Sequence, residues 1–265
     1  MKLQGKAGRR RRKWKIVVGG LLAGVALCLG AFFWYVSDYY HADARAMAIA
    51  QQGTGIETVE NLTVLSPGTL SDTAIIFYPG AKVQAEAYLP LLDTLRQSGL
   101  ICVLVHMPFH LAVLDANAAQ DVIDRFPEVA HWYVAGHSMG GAMASRFAAG
   151  HPDAVDGVIL LGAYLYGDYP AEDTLTVYGS LNSSVAEKID YTDNVVVIDG
   201  GNHAQFGNYG PQKGGLAGRD FGRGTTGPGG GGHPGISRSA GLNTKERRRS
   251  PVWGPCLLSA IFVKV

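Results

Sequence analysis

Cysteine is scarce, three in 265 residues, and the three share no common surroundings. Cys28 falls in an apolar run, Cys102 between Ile101 and Val103, and Cys256 in an irregular tail. No disulfide framework follows from such a set, and Cys102 reads as a small core residue rather than a nucleophile. Charge is also sparse. With 17% charged and 47% hydrophobic residues the chain is not disordered overall, and it holds enough apolar surface for a buried core. The net charge of +1 hides an asymmetry: a basic block from Arg9 to Lys15, another from Arg247 to Arg249, and a mildly acidic middle. Neither block carries an aromatic or groove-reading pattern, and both lie outside the part that should fold, so no nucleic-acid partner is expected.

The apolar run from Ile16 to Val36 has no interruption and matches the ~20 residues a helix needs to cross a bilayer. Arg9 to Arg12, Lys13 and Lys15 precede it, whereas Asp38 and Asp43 follow. The positive-inside rule then keeps the N-terminus in the cytoplasm and places everything after residue 37 outside, a single-pass cell-membrane protein. Trp34, Tyr35, Tyr39 and Tyr40 suit the outer interfacial belt. The competing reading is a cleaved signal peptide, because Ala42-Asp43-Ala44 has the small-x-small form of a cleavage site. Both readings export the domain.

Beyond a short helical spacer at Ala42 to Gln52 and a strand around Val59 to Leu65, strands and helices alternate. Thr73–Tyr78, Leu100–Val105, Trp132–Ala135, Gly157–Leu161, Leu175–Tyr178 and Val195–Ile198 read as buried strands. Ala85–Gln97, Ala116–Phe126, the segment after Ser138 and Val185–Ile189 read as helices. Such alternation predicts an α/β fold with a mostly parallel sheet covered on both faces, and reactive groups at the carboxyl ends of its strands. The organisation read from this is a basic segment at 1–15, a transmembrane helix at 16–36, a spacer at 37–54, the folded domain at 55–213 and an irregular tail at 214–265.

The stretch Trp132 to Phe147, WYVAGHSMGGAMASRF, is the centre of the chain. A buried strand runs straight into Gly136-His137-Ser138-Met139-Gly140 and then into an Ala-rich helix, which is the context of a nucleophile elbow rather than of a chance G-x-S-x-G. Glycines flank the serine because a strand turning directly into a helix leaves no room for side chains. Ser138 opens the helix, so the Met139 amide faces whatever the serine attacks, giving half of an oxyanion hole. The second donor is expected just after the Thr73–Tyr78 strand, at Ala81 behind Pro79-Gly80, where glycine would let the chain approach a substrate. The base is expected at His203, on a glycine-loosened loop after the last strand. His137 should pack beside the site, lining it with Gly80, and His106, His110, His131 and His151 suit surface or pocket-lining positions.

The motifs Phe77-Tyr78-Pro79-Gly80, Met107-Pro108-Phe109, Gly136-His137-Ser138-Met139-Gly140-Gly141 and Gly200-Gly201-Asn202-His203-Ala204-Gln205-Phe206-Gly207 together resemble the membrane-anchored bacterial branch of the α/β-hydrolase superfamily, near dienelactone-hydrolase-like enzymes. The resemblance covers about residues 55–213. It implies a serine nucleophile at Ser138, a histidine base at His203, hydrolysis of a small ester or acyl substrate, and no metal or organic cofactor. One departure stands out. Where the family carries an acid in a Gly-Ser-x-Asp context, this chain reads Gly179-Ser180-Leu181-Asn182. Asn182 would orient the histidine without stabilising its charged form, which lowers activity; Asp173 and Asp190 are the nearby carboxylates that could substitute.

The connection from Leu161 to Leu175 is too short for a lid domain, so an open site is expected. From Gly214 onward there is no apolar period, and helix breakers are frequent, so the helix that normally closes this fold is expected to be missing. The abrupt turn to Gly, Arg, Pro and Ala suggests a frameshifted reading of the gene or a natural flexible tail.

Overall fold

In the computed structural model, which describes residues 4–213 and 215, the chain divides into a unit ending at Tyr39 and one beginning at Tyr40. The first is helix α1 (Gln4–Ser37). Its stretch Lys13–Ser37 has a mean hydropathy of 2.5 and none of its most apolar part is buried, so it is long and apolar enough to cross a membrane; a signal sequence would pass the same test.

The second unit opens with α2 (Ala44–Gln52), capped by Asp43, whose carboxylate accepts from Ala46 N–H. The strands are β1 (Ile56–Val59), β2 (Leu62–Leu65), β3 (Thr73–Tyr78), β4 (Ile101–Val105), β5 (His131–His137), β6 (Gly157–Leu161), β7 (Thr174–Gly179) and β8 (Val195–Ile198). They form one sheet in the order β1-β2-β4-β3-β5-β6-β7-β8. From β4 to β8 every pairing is parallel, and β1-β2 and β2-β4 are antiparallel. The single strand expected at Val59–Leu65 is therefore a hairpin, because Glu60 adopts φ 54° and turns the chain where no glycine signals it.

Alternation along each strand sends neighbours to opposite faces, and over β3 to β7 both faces are buried, whereas the outer strands β1 and β8 are more exposed. Ile75, Phe77, Leu104, Tyr133, Ile159, Leu161 and Val177 pack under α3 (Leu89–Gln97). Ile76, Tyr78, Val103, Val105, Val134, Val158 and Leu160 pack under α4 (Ala118–Arg125) and α5 (Met139–Gly150). The helix expected from Ala85 begins as a 3₁₀ turn over Ala85–Tyr88 and becomes α-helical only at Leu89. Pro90 explains the break, since it has no N–H to donate back one α-helical turn. A last short helix, α6 (Ser183–Ala186), starts just after Asn182, two residues before the expected Val185.

The parallel registers pair Tyr78 with Gly136, His137 with Leu161, and Gly179 with Ile198. The turns that follow β3, β5, β6, β7 and β8 are thereby brought to one edge of the sheet. The region from Gly214, where the closing helix is expected to be missing and the tail irregular, falls outside the described residues, apart from Gly215.

Candidate active site

Ser138 is the residue at which β5 becomes α5, and it sits at φ 54°, ψ −123°. A non-glycine residue on the positive-φ side costs ~1–3 kcal/mol and persists only where its surroundings enforce it. Here the enforcement is visible: Ser138 N–H donates to Leu161 O at 3.0 Å, and Ser138 O accepts from Ala142 N–H at 3.1 Å. The flanking glycines are required by contact. A Cβ on Gly136 would lie 2.5 Å from Gly141 N, and one on Gly140 would lie 2.1 Å from Tyr78 O.

Met139 is the first residue of α5, so its N–H has no intrahelical acceptor. Ala81 follows the Pro79-Gly80 turn after β3. Among the described residues neither the Met139 N–H nor the Ala81 N–H has a hydrogen-bond partner. The Gly80 N–H is spent on the Tyr88 hydroxyl, 3.0 Å away, which leaves Ala81 as the available donor on that turn.

His203 begins a 3₁₀ turn, His203–Phe206, after β8. Asn202 caps that turn by accepting from Ala204 and Gln205 N–H, and Gln205 returns a bond to Asn202 N–H at 2.7 Å. The imidazole is half-buried and packs on His137 with ring centroids 4.6 Å apart. Gly162, next to the Leu161 that holds Ser138, has φ +53°, and a Cβ there would reach 3.1 Å from His203 Nδ1. The ring of His203 thus lies against the residues that frame Ser138. No hydrogen bond joins Ser138 Oγ to His203 among the described residues; such bonds tighten on substrate binding in many hydrolases.

Asn182 is 6% exposed, and its amide Nδ2 lies 2.7 Å from His203 Nδ1. Its Oδ1 accepts from Ser184 Oγ at 3.0 Å. Burial lowers the pKa of His203 from its ordinary value, and no carboxylate acts to raise it. The group hydrogen-bonded to this ring is Asn182, and among the described residues neither Asp173 nor Asp190 bonds to it; Asp173 has its own pKa raised, by burial and then by Glu172.

Two of the residues expected to line a substrate have close partners inside the protein. His137 is 1% exposed, with Nδ1 2.8 Å from the Tyr88 hydroxyl and Nε2 2.9 Å from His203 O. A Cβ on Gly80 would sit 2.7 Å from His137 Nδ1 and 2.9 Å from the Tyr88 hydroxyl, so this packing requires the glycine. Tyr88 escapes sequence reading: at helical spacing it looks like one more apolar residue of the Ala85–Gln97 segment. Three other histidines have partners of their own. His106 Nε2 bonds Thr63 Oγ1 at 2.8 Å, His131 pairs with Asp156 at 3.2 Å, and His151 Nδ1 donates to Phe147 O at 3.0 Å.

Several solved structures are similar to this chain at low identity. Est1E from Butyrivibrio proteoclasticus is 18% identical over 56% of this chain and 89% of its own, with a TM-score of 0.44. Dienelactone hydrolase from Anabaena variabilis is 17% identical over 54% of this chain and 85% of its own, with a TM-score of 0.42. A thermostable carboxyl esterase from Bacillus coagulans is 16% identical over 41% of this chain, which spans only 43% of that protein, with a TM-score of 0.33. No curated protein matches the sequence. A model of the alpha/beta hydrolase family matches residues 74–219, more than half of the chain and all of the edge just described, and the chain belongs to that family.

Proposed function

We propose that this chain is a serine hydrolase that cleaves carboxylic esters through an acyl-enzyme on Ser138. The observation that carries the reading is the backbone of Ser138, a non-glycine residue held at φ 54° between two glycines whose side chains would collide with Gly141 and Tyr78. That conformation exposes a hydroxyl at the head of a helix, beside two uncommitted N–H groups.

In the proposed reaction Ser138 Oγ attacks the ester carbonyl carbon while His203 Nε2 takes the hydroxyl proton. The negative oxygen of the tetrahedral intermediate accepts from Met139 N–H and Ala81 N–H. Collapse breaks the bond to the alcohol oxygen, and His203 returns its proton to that oxygen as the alcohol leaves. Water then repeats the sequence on the acyl-serine, releasing the acid and restoring Ser138.

The base needs its free electron pair on Nε2, so Nδ1 must carry the hydrogen and donate it to an acceptor. Asn182 supplies one when its amide is turned by 180°, which exchanges Oδ1 and Nδ2 while leaving the heavy atoms in place. Oδ1 then accepts from His203 Nδ1–H and Nδ2 donates to Ser184 Oγ. In the other orientation Nδ2 donates to Nδ1 and the hydrogen sits on Nε2, where it blocks proton abstraction. That arrangement favours a second reading, a binding protein that kept the fold with little or no catalysis.

A fluorophosphonate probe on the full-length chain separates the two. Labelling that disappears in Ser138→Ala supports the hydrolase, whereas a folded wild-type chain that takes no label supports the binding protein. For the reactive case, a series of p-nitrophenyl esters of rising chain length defines the acyl preference. The apolar part of α1 and the basic residues of its first turns support a single-pass protein with this domain outside the cytoplasm. Protease digestion of intact spheroplasts tests that orientation: a domain protected until the membrane is opened would reverse it.

A further inference from the structure

Three hydrogen bonds run in series through the interior behind the site. Gly80 N–H donates to the Tyr88 hydroxyl at 3.0 Å, that hydroxyl lies 2.8 Å from His137 Nδ1, and His137 Nε2 lies 2.9 Å from the backbone oxygen of His203. Tyr88 is 0% and His137 1% exposed, so water does not compete for these groups. The direction of each bond is fixed by its ends. A carbonyl oxygen can only accept, so the hydrogen of His137 is on Nε2; its Nδ1 is then an acceptor, and the Tyr88 hydroxyl must donate to it. Burial, and after it the neighbouring His203, hold the pKa of His137 down at about 3, so the ring stays neutral and the pattern is single.

What the series joins is the point. Gly80 adjoins Ala81, His137 adjoins Ser138, and the last acceptor is the backbone of His203 itself. The three segments come from the ends of β3, β5 and β8, and nothing in their local sequence sets their mutual spacing. Aromatic packing surrounds the series: Phe77 on Tyr88 at 4.9 Å, and Phe206 on His137 at 5.7 Å between ring centroids.

We propose that Tyr88 and His137 are positioning residues that set the distance between the Ala81 oxyanion donor, the Ser138 nucleophile and the His203 base. This rests on the serine-hydrolase reading above. The two side chains touch no substrate. Tyr88 holds the turn carrying Ala81, and His137 holds the loop carrying His203, each through a bond whose loss leaves the apolar packing in place. Tyr88→Phe removes one oxygen. It strips Gly80 N–H of its acceptor and frees His137 to move its hydrogen to Nδ1, which would turn the Nε2 electron pair against the His203 carbonyl and push that loop away.

Donors and base act on the transition state, so the loss falls on kcat and leaves KM nearly unchanged. A displacement of about 1 Å in such groups costs ~10²-fold. The test uses the full-length chain in detergent micelles. Tyr88→Phe is expected to lower kcat for p-nitrophenyl acetate by ~10–100-fold, with KM within about twofold of wild type. Imidazole ¹⁵N NMR of the wild type is expected to show His137 neutral, with its hydrogen on Nε2, at neutral pH. A wild-type kcat in Tyr88→Phe, or a loss confined to KM, overturns the proposal. So does an Nδ1-protonated His137 in the wild type, a measurement that stands even if the variant does not fold. Failure of the hydrolase reading looks different: the wild type takes no fluorophosphonate label, while the NMR result still decides the hydrogen-bond series.

Discussion

The amide of Asn182 lies 2.7 Å from Nδ1 of His203, in the place where a carboxylate would do more. An asparagine oxygen can orient the ring but cannot stabilise the imidazolium that the proposed reaction forms when Ser138 gives up its proton. Replacing the acid by its amide in a serine protease costs ~10⁴-fold in kcat. Asn182→Asp is accordingly expected to raise kcat on p-nitrophenyl esters by at least ~10-fold, with that figure as the ceiling. Steady-state rates on the purified variant decide it, and unchanged turnover would mean that another carboxylate already serves.

The pH profile follows from the same pair. Burial lowers the pKa of His203 below the ordinary 6.5, and the base works only when neutral. Activity in the wild type should hold through neutrality and fall on the acid side only below pH 6.5. In Asn182→Asp the new negative charge favours the protonated ring, so the acid limb should move to higher pH. Plots of kcat/KM against pH for both proteins check the sign, and an acid limb that does not move would separate residue 182 from the base.

Most of the scaffold is legible in the sequence because burial on both sheet faces leaves unbroken apolar runs, as in Thr73–Tyr78 and Gly157–Leu161, each recovered residue for residue as a strand. Ser138 and His203 are legible for a different reason: glycines mark the turns on which they sit. The hairpin at Glu60 is not, since a glutamate at positive φ gives no turn signal. Nor is Tyr88. Its partner His137 is 49 positions away, and only the sheet order makes the two neighbours. A hydroxyl whose partner is set by topology looks like any other aromatic core residue.

Gly140 offers a sharp test of the elbow. An added methyl would sit 2.1 Å from Tyr78 O and 2.3 Å from Pro79 O, both backbone atoms of the turn that carries Ala81. No rotamer relieves a clash with backbone, and overpacking of this kind costs ~1–3 kcal/mol or more. Gly140→Ala should lower the urea midpoint and abolish fluorophosphonate labelling, because relief requires moving either the oxyanion turn or the serine. Labelling at the wild-type rate would show that the elbow is looser than its contacts imply.

His137 also ties stability to pH. Its ring is neutral when folded, with a pKa of about 3, but takes a proton near 6.5 when unfolded. Between those values the unfolded state binds one more proton, so stability is complete above about pH 6.5 and falls as the pH is lowered, by ~1.4 kcal/mol per unit from this residue. His137→Phe should flatten the acid limb of unfolding free energy against pH by about that slope, whatever its stability at neutral pH. Urea titrations at several pH values measure it, and an unchanged slope would place the proton uptake on the half-buried histidines His106 or His110, whose pKa values are also lowered by desolvation.

The residues just after α1 are built into the domain rather than strung between parts. Tyr40 N–H donates to Lys82 O at 2.7 Å and Tyr40 O accepts from Gln84 N–H at 2.9 Å, beside the turn that carries Ala81. Asp43 N–H donates to Asn208 O at 2.8 Å, and the Asp43 carboxylate accepts from Asn208 Nδ2 at 3.0 Å, beside the loop that carries His203. The same carboxylate caps α2. Cleavage within Ala42-Asp43-Ala44 would discard this strap, losing a helix cap worth ~0.5–2 kcal/mol and several bonds worth ~1 kcal/mol each. A chain beginning at Tyr40 should therefore melt higher than one beginning at Arg45, by ~6–12 °C if about 3 kcal/mol is lost at ~2–4 °C per kcal/mol. The strap also favours an anchor that stays attached, so mass spectrometry of the membrane fraction should find α1 still joined to the domain. A mature N-terminus at Asp43 or beyond, together with equal melting of the two truncated chains, would make the strap dispensable and the leading helix a removable signal.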